Sequence, residues 1–234
     1  MKPHKLFFII CIIVIALIPV LTFGQQASQK NTIGIKAGLD LTELYYPDNS
    51  IPYDWETVFS GGFVYKSKPI YPHLKIICEA LYSQKRYTYT GRRSAFSNYF
   101  ISAQKEIETN HYLSVPVGLR YEITAEPVPQ KKYAIYGIFA ESGFENLVLL
   151  KEKLKGEGGT RPQYLSYFND KNYILGYFVG GGIIVNLFNK ESAVHFRYSR
   201  TITNVQYNKH IPLTQDVVKE YFQTVELAVS FFLW

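Results

Sequence analysis

From residue 32 onward the chain alternates apolar and polar residues with a period of two, the signature of strands that show different surroundings on their two faces. The first run spans about 32–44, where Ile33, Ile35, Ala37, Leu39 and Leu41 alternate with Gly34, Lys36, Gly38, Asp40 and Thr42. Further strands are predicted at about 57–67, with Phe59, Gly61, Phe63 and Tyr65 on one face, and at about 73–86, where Leu74, Ile76, Cys78, Ala80 and Tyr82 oppose Lys75 and Glu79. The run at about 110–122 is the cleanest, Leu113, Val115, Val117, Leu119 and Tyr121 alternating with Ser114, Pro116, Gly118, Arg120 and Glu122. A fifth strand at about 132–144 has no clear facing. Three more follow at about 172–187, 191–201 and 221–233, the last with Val225, Leu227, Val229, Phe231 and Leu233 on one face and Thr224, Glu226, Ala228 and Ser230 on the other.

Each run is long enough for a tilted bilayer crossing, which takes roughly 9–11 residues. The connections alternate in length. Long ones follow the first, third, fifth and seventh strands, and short ones lie between them, such as SKPIYP and Phe188-Asn189-Lys190. Short turns on one side and long loops on the other are the habit of outer-membrane barrels. In lipid every backbone N–H and C=O needs an internal partner, so an even set of antiparallel strands must close and leave no edge. The predicted fold is all-β: an eight-stranded antiparallel transmembrane β-barrel of up-and-down order, in the outer membrane of a Gram-negative cell. A soluble lipocalin-like cup has the same strand count, but its apolar residues would point inward.

The N-terminus fits that destination. Lys2 and Lys5 precede an apolar run, Leu6 to Leu21, and Thr22-Phe23-Gly24 then offers small residues around a cut before Gln25. The run is shorter than a spanning helix needs, so residues 1–24 are expected to be a cleaved signal peptide and 25–234 the barrel domain. Loss of Lys2 and Lys5 lowers the formal charge from +6 to +4. Charges of both signs are scattered, which gives no nucleic-acid footprint. Cys11 lies in the signal segment, leaving Cys78 without an intrachain disulfide partner. The 20 Tyr and 16 Phe suit the aromatic girdles of a membrane barrel.

Several segments carry a family likeness: Ile33-Gly34-Ile35-Lys36-Ala37-Gly38-Leu39, Tyr112-Leu113-Ser114-Val115-Pro116-Val117, Gly180-Gly181-Gly182, and Phe196-Arg197-Tyr198-Ser199 with Thr203-Asn204-Val205. Together they resemble the PorT-like family of small, porin-like outer-membrane β-barrels. The resemblance implies an eight-stranded barrel, and one branch of that family is associated with a secretion machinery. Such barrels usually end in an aromatic residue; Trp234 is one, but it falls on the opposite parity from Leu233.

For function, the polar residues of the inward face stand out: Lys36, Asp40, Lys75, Glu79, Arg120, Glu122, Arg197 and Glu226. They are either a conduit or ligand site, or a packed interior of charge pairs. Eight strands enclose little more than the room side chains fill, which favours packing. For catalysis, His195 points inward by parity, His73 lies near a short turn, and His111 and His210 lie near the outer end beside loop serines. No spacing demands a triad, and no HExxH or CxxC motif is present, so neither catalysis, a metal nor a cofactor is expected. Lys151 to Lys155 reads as a solvated loop segment. The expected partners are outer-membrane lipid and a protein bound through loops 87–109 and 145–171, whose aromatics suit an interfacial girdle equally well.

Overall fold

The computed structural model describes residues 30–45, 55–91, 104–125, 133–156, 168–170, 172–187, 190–203, 206–208 and 221–233. The expected signal segment, Trp234 and His210 lie outside these residues. Ten strands are present: β1 (Thr32–Tyr45), β2 (Glu56–Lys66), β3 (Leu74–Gly91), β4 (Gln104–Thr124), β5 (Tyr133–Gly156), β6 (Phe168–Asp170), β7 (Tyr173–Leu187), β8 (Lys190–Thr201), β9 (Gln206–Asn208) and β10 (Tyr221–Phe232). Eight of them close a barrel in the order β1-β10-β8-β7-β5-β4-β3-β2, and β6 pairs with β9 in a separate two-stranded sheet. Closure is antiparallel, with Gly38 opposite Ala228 on β10 and Ser60 on β2. The Leu233 amide donates to the Ile33 carbonyl at 2.8 Å, continuing the seam past the last residue of β10.

Facing follows the period of two. Ile33, Ile35, Leu39, Leu41, Phe59, Phe63, Val117, Leu119, Phe196 and Leu227 all lie on the outer surface, Phe63 with 66 % of its area open and Phe196 with 60 %. Their neighbours in sequence turn inward and, apart from half-buried glycines such as Gly38 and Gly118, are buried. Large apolar side chains left open on every wall belong against lipid, since water would penalise so continuous a belt. A cup-like binder would show the reverse arrangement.

β5, whose facing alternation does not reveal, contains two irregularities. Its register with β7 shifts between Ile135 and Gly137, and its register with β4 shifts opposite His111 and Tyr112, where Leu150 is the extra residue. Each bulge turns the strand by one residue, so Ile135, Ile138, Phe144 and Val148 all face outward although their numbers change parity.

Two expected loops are shorter than 87–109 and 145–171. β3 continues to Gly91, β4 begins at Gln104, and β5 runs through the Lys151–Lys155 segment to Gly156. The ladder persists through Arg86↔Thr109, Thr88↔Ile107 and Gly91↔Gln104, and through Asn110↔Glu152 and Glu106↔Gly156. Beyond the bilayer a strand no longer needs apolar residues on one face, so the hydrophobic alternation stops while hydrogen bonding and β-favouring Thr, Tyr and Ile carry the sheet on. The small β6–β9 sheet, which ties two of the long connections together, has no hydrophobic alternation to betray it.

The short connections lie at the end that holds the start of β1 and the end of β10, the periplasmic end by the loop-length rule. In the turn before β3, His73 adopts a left-handed backbone, φ 68°. It is held there on both sides: its ring Nδ1 lies 3.1 Å from the Glu122 carbonyl, and the Glu122 amide donates to the His73 carbonyl at 2.8 Å.

Candidate functional site in the barrel interior

The inward positions of the eight barrel strands meet in a lumen lined by buried, mutually packed side chains. At its middle, Glu79 on β3 accepts from both terminal nitrogens of Arg197 on β8, at 2.9 and 2.8 Å, and from Lys36 on β1 at 3.0 Å. Glu141 on β5 accepts from Arg197 Nε and Nη2 at 3.0 and 2.7 Å, and from Arg120 Nε and Nη2 at 2.9 and 2.6 Å. Glu226 on β10 pairs with Lys36 at 2.5 Å and lies 3.8 Å from Arg197. Six strands thus converge on one charge cluster. Bidentate guanidinium–carboxylate pairing fixes orientation as well as charge, which suits cations that have left water completely.

A second cluster lies toward the periplasmic end. Glu122 on β4 pairs with Lys75 at 2.6 Å and with Lys66 at 3.2 Å, and Lys66 also pairs with Glu191. Arg120 stands between the clusters, its Nη1 3.8 Å from Glu122. Aromatic faces complete the cations' surroundings: Phe139 under Arg120 and Phe178 under Arg197, each at 4.3 Å, and Phe232 near Lys66 at 4.6 Å.

The glycine triplet of β7 makes room for this. A Cβ at Gly182 would lie 2.7 Å from the Phe139 ring and 1.9 Å from the Val194 carbonyl oxygen. Only a bare backbone lets Phe139 lie across β7 and support the Arg120 guanidinium.

Apolar plugs pack on either side of the central charges, the periplasmic one interleaved with Lys66 and Glu122 of the second cluster. Leu44, Tyr112, Leu147, Ile174 and Phe222 pack together at the outer end, with Leu149 against them. Val64, Phe139, Ile184, Ala193 and Phe232 do so toward the periplasmic end, with Tyr136. Between the outer plug and the central charges lie Asp40, which accepts from Ser60 at 3.0 Å, and Lys85, which donates to Thr224 at 2.9 Å.

All eight inward-facing candidates are therefore buried in the lumen, and seven of them share the ion-pair clusters; the described hydrogen bond of Asp40 is to Ser60. Sequence reasoning missed Glu141, the acceptor that links Arg120 to Arg197, because the bulge in β5 hides its facing. It also missed Lys66, Lys85 and Glu191, which lie at the ends of the runs read from the sequence.

One arrangement has the outline of a hydrolytic triad. His195 Nε2 lies 2.8 Å from Ser230 Oγ, and His195 Nδ1 lies 3.7 Å from Glu141. The carboxylate is beyond hydrogen-bond reach of the imidazole, and its oxygens already accept from two arginines. Ser230 is wholly buried between the plugs, where no acyl group can approach. A nucleophile needs a free base and an open face, so this trio serves packing.

Comparison with known proteins agrees with the architecture. Residues 23–207 match the family model of the outer membrane protein beta-barrel domain. No curated protein matches the chain. Among solved structures it is similar to OprG of Pseudomonas aeruginosa, with 7 % identity, 90 % of this chain and 99 % of that one covered, and a TM-score of 0.46. It is similar also to neisserial surface protein A, at 12 % identity, 88 % and 99 % coverage and a TM-score of 0.43. The attachment invasion locus protein Ail of Yersinia pestis shows 11 % identity, 87 % and 99 % coverage and a TM-score of 0.39. The chain belongs to the outer membrane protein beta-barrel domain family and is an eight-stranded barrel of the outer membrane.

Proposed function

We propose that this barrel is a structural and interaction scaffold that works through its outward end, with no role for transport through its lumen. The filling of the interior carries this reading. Two apolar plugs bracket a charge cluster whose cations and carboxylates are already paired with one another. A permeating ion would have to break bidentate pairs and pass tightly packed apolar side chains, each step adding desolvation cost.

What the barrel does display is an extended rim. β3, β4 and β5 are 18, 21 and 24 residues long, well beyond the roughly 9–11 that a crossing requires. A rigid platform carrying long connections is where partner binding on a barrel belongs. The resemblance of the segments around Ile33, Tyr112 and Phe196 to PorT-like barrels supports a partner in secretion, with the barrel accessory to it. Catalysis has no place in this reading.

The test replaces segments 92–103 and 157–167 with short turns. The trimmed barrel should still reach the outer membrane and stay heat-modifiable on gels, yet fail to complement a strain lacking the protein. Full complementation by the trimmed barrel would overturn the proposal.

A further inference from the structure

The ladder between β2 and β3 stops early. It runs outward from Lys66↔Ile77 to Ser60↔Ser83, yet β2 continues to Glu56 and β3 to Gly91. Each other ladder of the barrel reaches to within one residue of the outer end of one of its strands. β1 stays paired with β2 as far as Glu56, and β4 with β3 as far as Gly91, so among the described residues the wall parts between β2 and β3. Main-chain groups that face such a break cannot lie in lipid. Apart from Phe59, its outward neighbours are the polar Thr57, Gln84 and Arg86, which sets the break at the water-facing edge of the belt.

The same place holds two lumen charges outside the ion-pair clusters. Among the described residues, the other buried Lys, Arg, Asp and Glu side chains of the lumen all belong to ion pairs. Asp40 and Lys85 belong to none, although they are only 3 % and 2 % exposed and lie within electrostatic reach of each other. Asp40 accepts from Ser60 Oγ at 3.0 Å, and Lys85 donates to Thr224 Oγ1 at 2.9 Å. Ser60 is the β2 member of the last ladder pair, and Lys85 lies on β3 just beyond that pair. Val58, the ladder partner of Asp40, lines the opposite lip of the break. Burying opposite charges apart from each other costs free energy that pairing would offset. A trapped water can hydrogen-bond to both groups but neutralises neither.

We propose that the gap between Asp40 and Lys85 is the seat of a small zwitterionic solute, which enters sideways between β2 and β3. Its cationic group meets Asp40 and its anionic group meets Lys85, beside the hydroxyls of Ser60 and Thr224 already bonded to those two residues. The mouth is shut in this structure, since Val58, Ser60, Ser83 and Lys85 are all buried. Opening it moves side chains and breaks no ladder pair, whereas a gap elsewhere in the wall would have to break several. The pocket is a dead end, because the central ion pairs lie beneath it. Occupancy therefore needs no passage through the lumen, and the scaffold reading holds or fails independently of it.

The experiment uses the full barrel in phosphatidylcholine nanodiscs, with β-alanine as the probe and saturation-transfer NMR as the readout. Wild-type protein should bind β-alanine. Neither ethylammonium nor propionate, which each carry one of its two charges, should compete at equal concentration. Asp40→Asn and Lys85→Met should each weaken binding about tenfold or more, the worth of one charge-assisted bond, while Lys68→Gln at the periplasmic rim should leave it unchanged. Heat-modifiability on gels checks that each variant folds, and a second measurement leaves both charges in place. Ser83→Cys, in a Cys78→Ser background, should react with a charged methanethiosulfonate reagent supplied from water, and β-alanine should slow that reaction. Ala193→Cys, in the periplasmic plug, should stay unreactive. Absence of β-alanine binding by the wild type would overturn the proposal, as would equal competition by ethylammonium, which would assign the pocket to cations. An unreactive Ser83→Cys would overturn it by removing the lateral entry, and so would binding that survives the loss of Asp40 or Lys85.

Discussion

Replacing Glu141 with glutamine keeps the shape of the side chain and removes the charge that Arg120 and Arg197 share. Arg197 is cushioned, since it keeps both of its hydrogen bonds to Glu79. Arg120 is not. Its remaining carboxylate is Glu122 at 3.8 Å, itself already paired with Lys66 and Lys75. Arg120 is 0 % exposed, so water cannot replace the lost partner. Removing one member of a buried pair leaves the other charge uncompensated, and the expected cost is about 3–5 kcal/mol. The measurement is reversible urea unfolding from phosphatidylcholine vesicles, followed by tryptophan fluorescence. A second variant separates charge from packing: Arg120→Met with Glu141→Leu removes both partners, keeps volume against Phe139, and should cost under about 2 kcal/mol. A loss below about 1 kcal/mol for Glu141→Gln, or a double variant as damaged as the single one, would refute a dry, mutually paired interior.

Three further outcomes follow from the same geometry. Val117→Arg puts a charge against lipid near mid-strand and should lower stability by about 2–4 kcal/mol in the same unfolding assay, with the loss shrinking as the substitution moves toward the strand ends. Gly182→Ala drives a methyl group into the Val194 carbonyl and the Phe139 ring and should cost about 1–3 kcal/mol, read as a lower urea midpoint; an unchanged midpoint would remove the role given to the glycine triplet. Glu226→Gln should cost less than Glu141→Gln, about 1–3 kcal/mol, because Lys36 retains Glu79 and Arg197 retains two carboxylates; an equal or larger loss would contradict the hierarchy of partners.

How much of this could be read from the sequence depends on which physical constraint each residue answers to. Lys36, Glu79, Arg120 and Arg197 were legible because each sits between lipid-facing neighbours, and a period of two leaves one alternative for the residue in between. Glu141 was not, because the bulge at β5 changes parity inside the strand and a bulge of ordinary residues carries no sequence mark. The outward continuation of β3, β4 and β5 was hidden for another reason: past the membrane the pattern becomes one of charge instead of hydrophobicity. Lys151-Glu152-Lys153-Leu154-Lys155 reads as a solvated loop when apolar spacing is the criterion, yet the same alternation of sign is a strand pattern. Which carboxylate meets which cation lay beyond reach, since pairing across the lumen joins strands distant in sequence, such as Glu79 and Arg197.

The account turns on the interior being shut, and single-channel recording tests that most directly. The purified barrel, inserted in planar bilayers, should show no steady current, and neutralising Arg120 together with Glu122 should lower stability without opening a path. A stable, ion-selective current in the wild-type protein that disappears when Arg120 is neutralised would contradict the sealed lumen and make the charge cluster a conduit.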